Sequence, residues 1–208
     1  RERSKARYIG LTQEFISPNE VAERHPLIDP SHYLAALWDE QDGDLDPSGA
    51  TYAFAKSAQV HGAHYFTHTP VTVTTQRADG SWDVTTPRGA INAEHIVNCG
   101  GLWAREVGHM QGINLPVQPM EHHYLLTERI DSVVNHPGRL PCGIDYEANI
   151  YFRQEREGML LGTYEPEGTP WKVNGTPWDF GHELLQPDLE RIADRLVLGF
   201  ERIPALAN

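Results

Sequence analysis

The sequence predicts an α+β protein with largely antiparallel strands and flanking helices. Residues 64–98 alternate three extended stretches with two turn sequences, which is typical of a β-meander. Residues 149–164 predict a hairpin that turns at Glu157-Gly158, and residues 187–200 carry apolar side chains at helical spacing. Strands that follow one another through short turns pair antiparallel, which is the reason for this fold class.

The composition is that of a folded, acidic protein. The 208 residues contain 17 Lys and Arg against 29 Asp and Glu, so the formal net charge is −12, and 39% of the residues are hydrophobic. This charge disfavours nucleic acid as a partner, and no apolar run reaches the roughly 18–20 residues of a membrane-spanning helix. The two cysteines, Cys99 and Cys142, are too few for a disulfide or metal framework, which suits a reducing compartment.

The first part of the chain predicts two helices separated by a strand. Residues 17–20 (SPNE) form a capping-box sequence, and the helix that they begin is expected to end near His25. Residues 33–38 predict a strand, and a second helix begins after Asp46 and ends at Gly62. The remaining predicted elements are strands at about 64–77, 82–87, 91–98 and 117–127, a helix at about 102–111 and an exposed loop at 166–182.

The most unusual segment is residues 98–104 (NCGGLWA), where a predicted strand enters a helix through Gly100 and Gly101. Free amides at such a turn often meet a phosphate or the edge of a cofactor, although paired glycines more often serve tight packing. No G-x-G triplet occurs in the sequence. The chain therefore does not contain a standard Rossmann pyrophosphate loop.

Two pairs of side chains are candidates for chemistry. Because strand residues alternate between faces, His122 and Tyr124 are predicted to share one face, where an imidazole and a phenol suit proton transfer at an amine or alcohol. Tyr151 and Arg153 are predicted to share a face of the hairpin, where a guanidinium suits a substrate carboxylate. A hydrogen-bonded His–Tyr pair in an ordinary sheet and a solvated arginine are the alternatives. A metal site is disfavoured, because His61, His64 and His68 are loosely spaced.

Several segments match one known family in order along the chain. Residues 98–108 (NCGGLWAREVG), followed by 119–124 (PMEHHY), resemble the dimethylglycine/sarcosine dehydrogenase family of FAD-dependent amine oxidoreductases. Residues 42–47, 151–158 and 180–184 resemble further motifs of the same family. The resemblance covers nearly the whole chain, and the combination of motifs is more specific than any one of them.

The resemblance implies a flavoprotein that oxidises an N-methyl group of a small amino acid, such as dimethylglycine or sarcosine, by hydride transfer to FAD. It points to Val71 and Trp103 as flavin contacts and to the His-x-Tyr strand as the face toward flavin and substrate. The predicted site therefore consists of catalytic His122 and Tyr124, cofactor-binding Val71, Gly100, Gly101 and Trp103, and substrate-binding Tyr151 and Arg153.

The resemblance also implies a division of the chain. Residues 1–40 are expected to form a first substrate-domain segment, 41–113 part of the FAD-binding domain, and 114–208 the substrate-binding domain. The family's glycine-rich segment and flavin-linked histidine would precede Arg1, and its folate-binding domains would follow Asn208, so the chain is expected to be an inactive fragment that binds FAD weakly or not at all. Its compartment is expected to be the cytoplasm, or the mitochondrial matrix in a eukaryote. The alternative is a non-catalytic scaffold like the pyruvate dehydrogenase phosphatase regulatory subunit.

Overall fold

The structure is a computed structural model that describes residues 2–181 and 183–207. His182, which belongs to the motif at 180–184, lies outside the described residues. The chain divides into two compact units: unit 1 comprises Arg1–Leu45, His122–Gly168 and Gln186–Asn208, and unit 2 comprises Asp46–Glu121 and Thr169–Leu185. Which unit holds flavin and which holds substrate stays a prediction.

The described residues contain both helices and antiparallel strands, as the sequence predicts for an α+β fold. In chain order these are α1 (Glu2–Tyr8), β1 (Gln13–Ile16), α2 (Pro18–Arg24), β2 (Ala36–Asp39), α3 (Pro47–Val60), β3 (Val73–Gln76), β4 (Trp82–Thr86), β5 (Gly89–Ala93), α4 (Ala104–His109), β6 (Tyr124–Leu126), α5 (Asp131–Val134), β7 (Gly143–Asp145), β8 (Ile150–Glu155), β9 (Gly158–Thr163) and α6 (Leu189–Arg202). In this part of the chain, no helix combines the length and apolar character needed to cross a bilayer.

Unit 1 is built on a four-stranded antiparallel sheet with the strand order β6-β9-β8-β7, beside a smaller hairpin of β1 and β2. Every residue of β9 is buried, since this strand lies inside the sheet and α6 packs against it. The hydrophobic core joins these elements through Ile150, Phe152, Met159, Leu161 and Ile192. This core fixes the position of the β8–β9 hairpin, which carries Tyr151, Arg153 and Gly162.

The local signals at the start of α2 and in the β8–β9 hairpin are confirmed. The Ser17 backbone N–H donates to the Glu20 carboxylate over 2.8 Å, and the Glu20 backbone N–H donates to the Ser17 hydroxyl over 3.3 Å, which completes the capping box. The hairpin pairs Ile150 with Thr163 and Glu155 with Gly158. The amphipathic helix near the end of the chain is also present, as α6.

Unit 2 contains the predicted meander as a three-stranded sheet in the order β3-β4-β5. Its strands are shorter than predicted: residues 64–72 lie outside β3, and β5 ends at Ala93 rather than near 98. Pro70 supplies no N–H for a ladder, and His68 has a φ of 51°, which is far from the extended region. Both features end the strand pairing on the amino-terminal side.

The helix after the paired glycines and the strand that follows the His-x-Tyr segment's start are both shorter than predicted. The helix expected at 102–111 is a 3-10 turn at Gly101–Trp103 followed by α4. The strand expected at 117–127 is only the three residues of β6, preceded by one isolated bridge between Met120 and Pro170. The Trp171 N–H donates to the Pro119 carbonyl over 2.8 Å and the Glu121 N–H donates to the Thr169 carbonyl over 2.9 Å, so this part of the run pairs with another segment than β6 does.

Candidate functional site

An aromatic cluster of His122, Tyr151 and Tyr164 lies on one face of the four-stranded sheet in unit 1. The His122 Nε2 atom lies 3.0 Å from the Tyr151 hydroxyl oxygen. The His122 ring stacks on Tyr151 at 5.9 Å between centroids and on Tyr164 at 5.6 Å. We refer to these three residues as the His–Tyr cluster. It places one imidazole and two phenols within reach of each other.

A glycine in β9 makes room for this cluster. Gly162 pairs with Tyr124 on β6 and with Tyr151 on β8, so the three positions lie side by side across the sheet. A Cβ atom on Gly162 would overlap the Tyr151 ring, which shows that the ring lies directly over the glycine backbone. Tyr164 is two residues further along and projects to the same face. The glycine inside this apolar strand therefore leaves the space that the Tyr151 ring occupies.

The environment of Tyr151 keeps its hydroxyl group protonated at neutral pH. Burial raises the pKa of Tyr151, and the neighbouring Tyr164 and Tyr124 raise it further. A protonated phenol can donate a hydrogen bond to His122 Nε2 in the tautomer that carries the ring proton on Nδ1. The pair can therefore pass a proton between an oxygen and a ring nitrogen.

A buried ion pair lies behind the His–Tyr cluster. Glu165 and Arg191 have side chains that are only 9% and 15% exposed, and the Arg191 Nε and Glu165 Oε1 atoms are 3.8 Å apart. The other carboxylate oxygen, Oε2, lies 3.9 Å from His122 Nδ1. Sequence reasoning missed both residues, because Arg191 comes from α6 and is 26 positions from Glu165 along the chain. The one local signal was that Glu165 directly follows the predicted strand that contains Gly162.

The structure pairs His122 with Tyr151 rather than with Tyr124. His122 precedes β6, so the alternation of a strand does not extend to it, and in the described part of the chain no hydrogen bond or ring contact joins it to Tyr124. Tyr124 is about half exposed and contributes through its position beside Gly162. The imidazole–phenol pair is present, but its phenol comes from the hairpin. The catalytic roles of His122 and Tyr124 stay predictions.

Arg153 lies on β8, two residues beyond Tyr151, and it is already ion-paired. Its guanidinium lies 3.4 Å from the Asp44 carboxylate and 2.9 Å from the Glu155 carboxylate. A substrate carboxylate would have to compete with these two acidic groups. Substrate binding by Tyr151 and Arg153 stays a prediction, and for Arg153 this pairing weakens it.

The four predicted flavin contacts belong to unit 2. The Gly100 N–H donates to the Asn98 side chain over 3.0 Å, so this amide is used within the turn. Gly101 has a φ of 52°, and a Cβ atom built on it would meet no atom within 4 Å. The Trp103 indole N–H donates to the Pro177 carbonyl over 2.8 Å, and Val71 is 40% exposed. The turn therefore exposes Gly101 rather than Gly100 to an approaching group.

Unit 1 also contains a cavity of about 320 Å³. It is lined largely by apolar side chains, among them Val21, Trp38 and Phe152, together with His25. No member of the His–Tyr cluster lines it. For the described residues, no group of three or more His, Cys, Asp or Glu side chains has the arrangement of a metal site, and the thiols of Cys99 and Cys142 are both free.

The whole chain matches one protein-family model. Residues 1–208 match the family described as FAD dependent oxidoreductase. The chain belongs to this family. It is 39% identical over 208 residues to the mitochondrial dimethylglycine dehydrogenase of Mus musculus, with 98% of the chain and 24% of that protein covered. It is 30% identical over 205 residues to the mitochondrial sarcosine dehydrogenase of Homo sapiens, with 95% of the chain and 21% of that protein covered. The chain thus spans about a quarter of the length of these relatives.

Solved structures confirm the fold. The L-proline dehydrogenase from P. horikoshii superposes with a TM-score of 0.77 and is 28% identical, covering 97% of this chain and 51% of that one. The exposed backbone at Gly101 and the half-buried indole of Trp103 fit the approach of a planar group such as the flavin of FAD. A glycine without a Cβ lets a cofactor reach the main chain closely. Flavin binding by Val71, Gly100, Gly101 and Trp103 stays a prediction.

Replacing Gly162 with alanine tests whether the position of the Tyr151 ring over β9 is needed for stability and activity. The added methyl group must displace the Tyr151 ring, and overpacking of this kind costs roughly 1–3 kcal/mol. We expect the melting temperature of the full-length protein to fall by several degrees, and reduction of its flavin by substrate to slow about 10-fold. Gly138→Ala is the matched control, because a Cβ atom there meets nothing within 4 Å. A Gly162→Ala protein that is as stable and as active as wild type would contradict this account of the site.

Proposed function

We propose that the protein containing this chain is a flavin-dependent oxidoreductase that oxidises the N-methyl group of a small amino acid, dimethylglycine or sarcosine. The observation that carries the proposal is the 3.0 Å contact between His122 Nε2 and the Tyr151 hydroxyl, in a chain whose relatives include dimethylglycine and sarcosine dehydrogenases. An imidazole beside a phenol is suited to proton transfer from an amine. The pair gives this family's reaction the acid–base group that it needs.

The proposed role of this chain is to prepare the substrate amine. An alkylammonium group carries a proton at neutral pH, and a hydride leaves its methyl group only when the nitrogen lone pair is free. The Tyr151 hydroxyl oxygen takes the ammonium proton while the phenolic proton passes to His122 Nε2, so the charge moves from the substrate to the imidazole. FAD, when bound, supplies the hydride acceptor.

The visible spectrum of the full-length protein during anaerobic titration with dimethylglycine and with sarcosine tests this function. We expect the oxidised flavin band to bleach with one or both amines, and the amine that bleaches it at the lower concentration is the preferred substrate. A flavin band unchanged by both amines would instead favour the non-catalytic scaffold. The 208 residues alone, which have no G-x-G triplet, are expected to retain little FAD and to show no turnover.

A further inference from the structure

Glu165 carries a buried carboxylate, and burying a charge costs free energy unless the charge is paired. The Glu165 side chain is 91% buried, and its Oε1 atom accepts no hydrogen bond from the described residues. The guanidinium of Arg191 is within ion-pair distance, with Nε at 3.8 Å, which is too long for a hydrogen bond. The His122 imidazole is a second ionisable group close to this carboxylate, with Nδ1 at 3.9 Å from Oε2.

The two ring nitrogens of His122 face different partners. Nε2 faces the Tyr151 hydroxyl, and Nδ1 faces the Glu165 carboxylate. The negative charge of a carboxylate at 3.9 Å favours a proton on the nearer ring nitrogen, Nδ1, by electrostatic attraction rather than by a hydrogen bond. A proton on Nδ1 leaves the lone pair of the neutral ring on Nε2, where the protonated Tyr151 hydroxyl can donate to it. Tyr151, His122 and Glu165 therefore lie in series, with hydrogen-bond distance between Tyr151 and His122 and a 3.9 Å charge contact between His122 and Glu165.

Contacts on two sides hold Glu165 in this position. Tyr164, its neighbour, donates its backbone N–H to the Asn149 carbonyl over 2.8 Å and stacks its ring on His122. On the other side, α6 begins at Leu189 and brings Arg191 to the carboxylate within its first turn. Arg191 also contacts the His123 Nδ1 atom, so the same helix orients the residue next to His122. These contacts restrict both the carboxylate and the segment that carries the imidazole.

We propose that Glu165 is a positioning residue for the reaction, which selects the Nδ1–H tautomer of His122 and stabilises the imidazolium that forms when the ring accepts a proton. The proposal rests on the proposed function for its catalytic meaning, but the tautomer itself is a property of the protein alone. A carboxylate behind a histidine base acts in this way in other hydrolytic and transfer sites. Glu165 touches neither substrate nor flavin in this role, because it acts through His122.

Nitrogen-15 NMR of the full-length holoprotein, labelled at histidine, tests the tautomer directly. The His122 signals are identified by their loss in His122→Asn, and spectra are recorded at about pH 8, where an ordinary imidazole is neutral. We expect the Nδ1–H tautomer to predominate in wild type and the Nε2–H tautomer to predominate in Glu165→Leu. Asp145→Asn is the matched control, since it also removes a buried carboxylate from an α6 arginine, Arg202, at 3.2 Å. It is expected to lower stability and to leave the His122 tautomer unchanged.

Rates of flavin reduction by the preferred amine give a second readout. We expect Glu165→Gln to slow reduction about 10-fold or more, Glu165→Asp to recover the rate to within about threefold of wild type, and Asp145→Asn to change it less than about twofold. An Nδ1–H tautomer that persists in Glu165→Leu overturns the proposal. If that variant does not fold, equal rates for the Gln and Asp variants overturn it instead. A tautomer change in a protein whose flavin neither amine reduces would sustain the positioning role and reject the proposed function.

Discussion

Replacing His122 with alanine is expected to slow reduction of the flavin by dimethylglycine or sarcosine by at least about 100-fold. General acid–base catalysis by one positioned side chain typically contributes 10²–10⁴-fold to a rate. In the proposed mechanism, His122 Nε2 receives the proton that passes through the Tyr151 hydroxyl. Without the imidazole, the phenol has no base to receive its proton, and burial already raises the pKa of Tyr151. The substrate therefore remains a cation that resists loss of a hydride.

Stopped-flow measurement of flavin reduction in the full-length protein distinguishes this role from a structural one. Arg156→Ala is the control, because Arg156 is exposed in the turn between β8 and β9 and has no role in the proposed chemistry. Its rate is expected to stay within about twofold of wild type. Tyr151→Phe, which keeps the ring and removes the hydroxyl, is expected to resemble His122→Ala. Similar small effects at His122 and Arg156 would reject the acid–base assignment.

The elements that sequence reasoning predicts well are those with a local physical cause. The capping box at Ser17 and Glu20 and the β8–β9 hairpin depend on residues within a few positions of one another, although the hairpin turns at Arg156-Glu157, one residue before the predicted position. The apolar face of α6 is likewise determined by the spacing of apolar residues within 14 consecutive positions. Extent is less predictable, since the chain around Met120 pairs with residues 169–171 and pairs with β9 only from Tyr124 onward.

The candidate site is less predictable, because it depends on register and on contacts between distant residues. The sequence singled out both His122 and Tyr151, but it assigned Tyr124 as the partner of the histidine. β6 and β8 both pair with β9, on opposite sides of Gly162, and this register brings Tyr151 to the imidazole. No local sequence pattern encodes that register. Glu165 and Arg191 were missed for the same reason. A glycine inside an apolar strand was the available signal that a large side chain lies across it.

A second histidine, His25, has the opposite environment to His122. It is only 2% exposed, its ring packs edge-on against Phe152 with centroids 5.5 Å apart, and neither ring nitrogen has a hydrogen-bond partner within the described residues. Burial, with a smaller contribution from the nearby His136, lowers the pKa of His25 to about 4. The folded protein therefore holds this ring in its neutral form well below the pH at which an exposed imidazole takes up a proton.

Acid is expected to destabilise unit 1 through His25. The unfolded chain binds a proton at His25 with the ordinary pKa near 6.5, whereas the folded chain does so only near 4, so protons favour the unfolded state. The neutral ring's contribution to the free energy of unfolding is fully present above pH 6.5 and is lost as the pH falls toward 4. The difference between the two pKa values corresponds to about 3 kcal/mol, of which about 2 kcal/mol are lost by pH 5. Urea unfolding between these limits, followed by circular dichroism, measures it. His25→Phe should remove that part of the pH dependence, whereas replacing the exposed His95 with glutamine should preserve it. If His25→Phe loses stability with acid as steeply as wild type does, other groups cause the acid sensitivity.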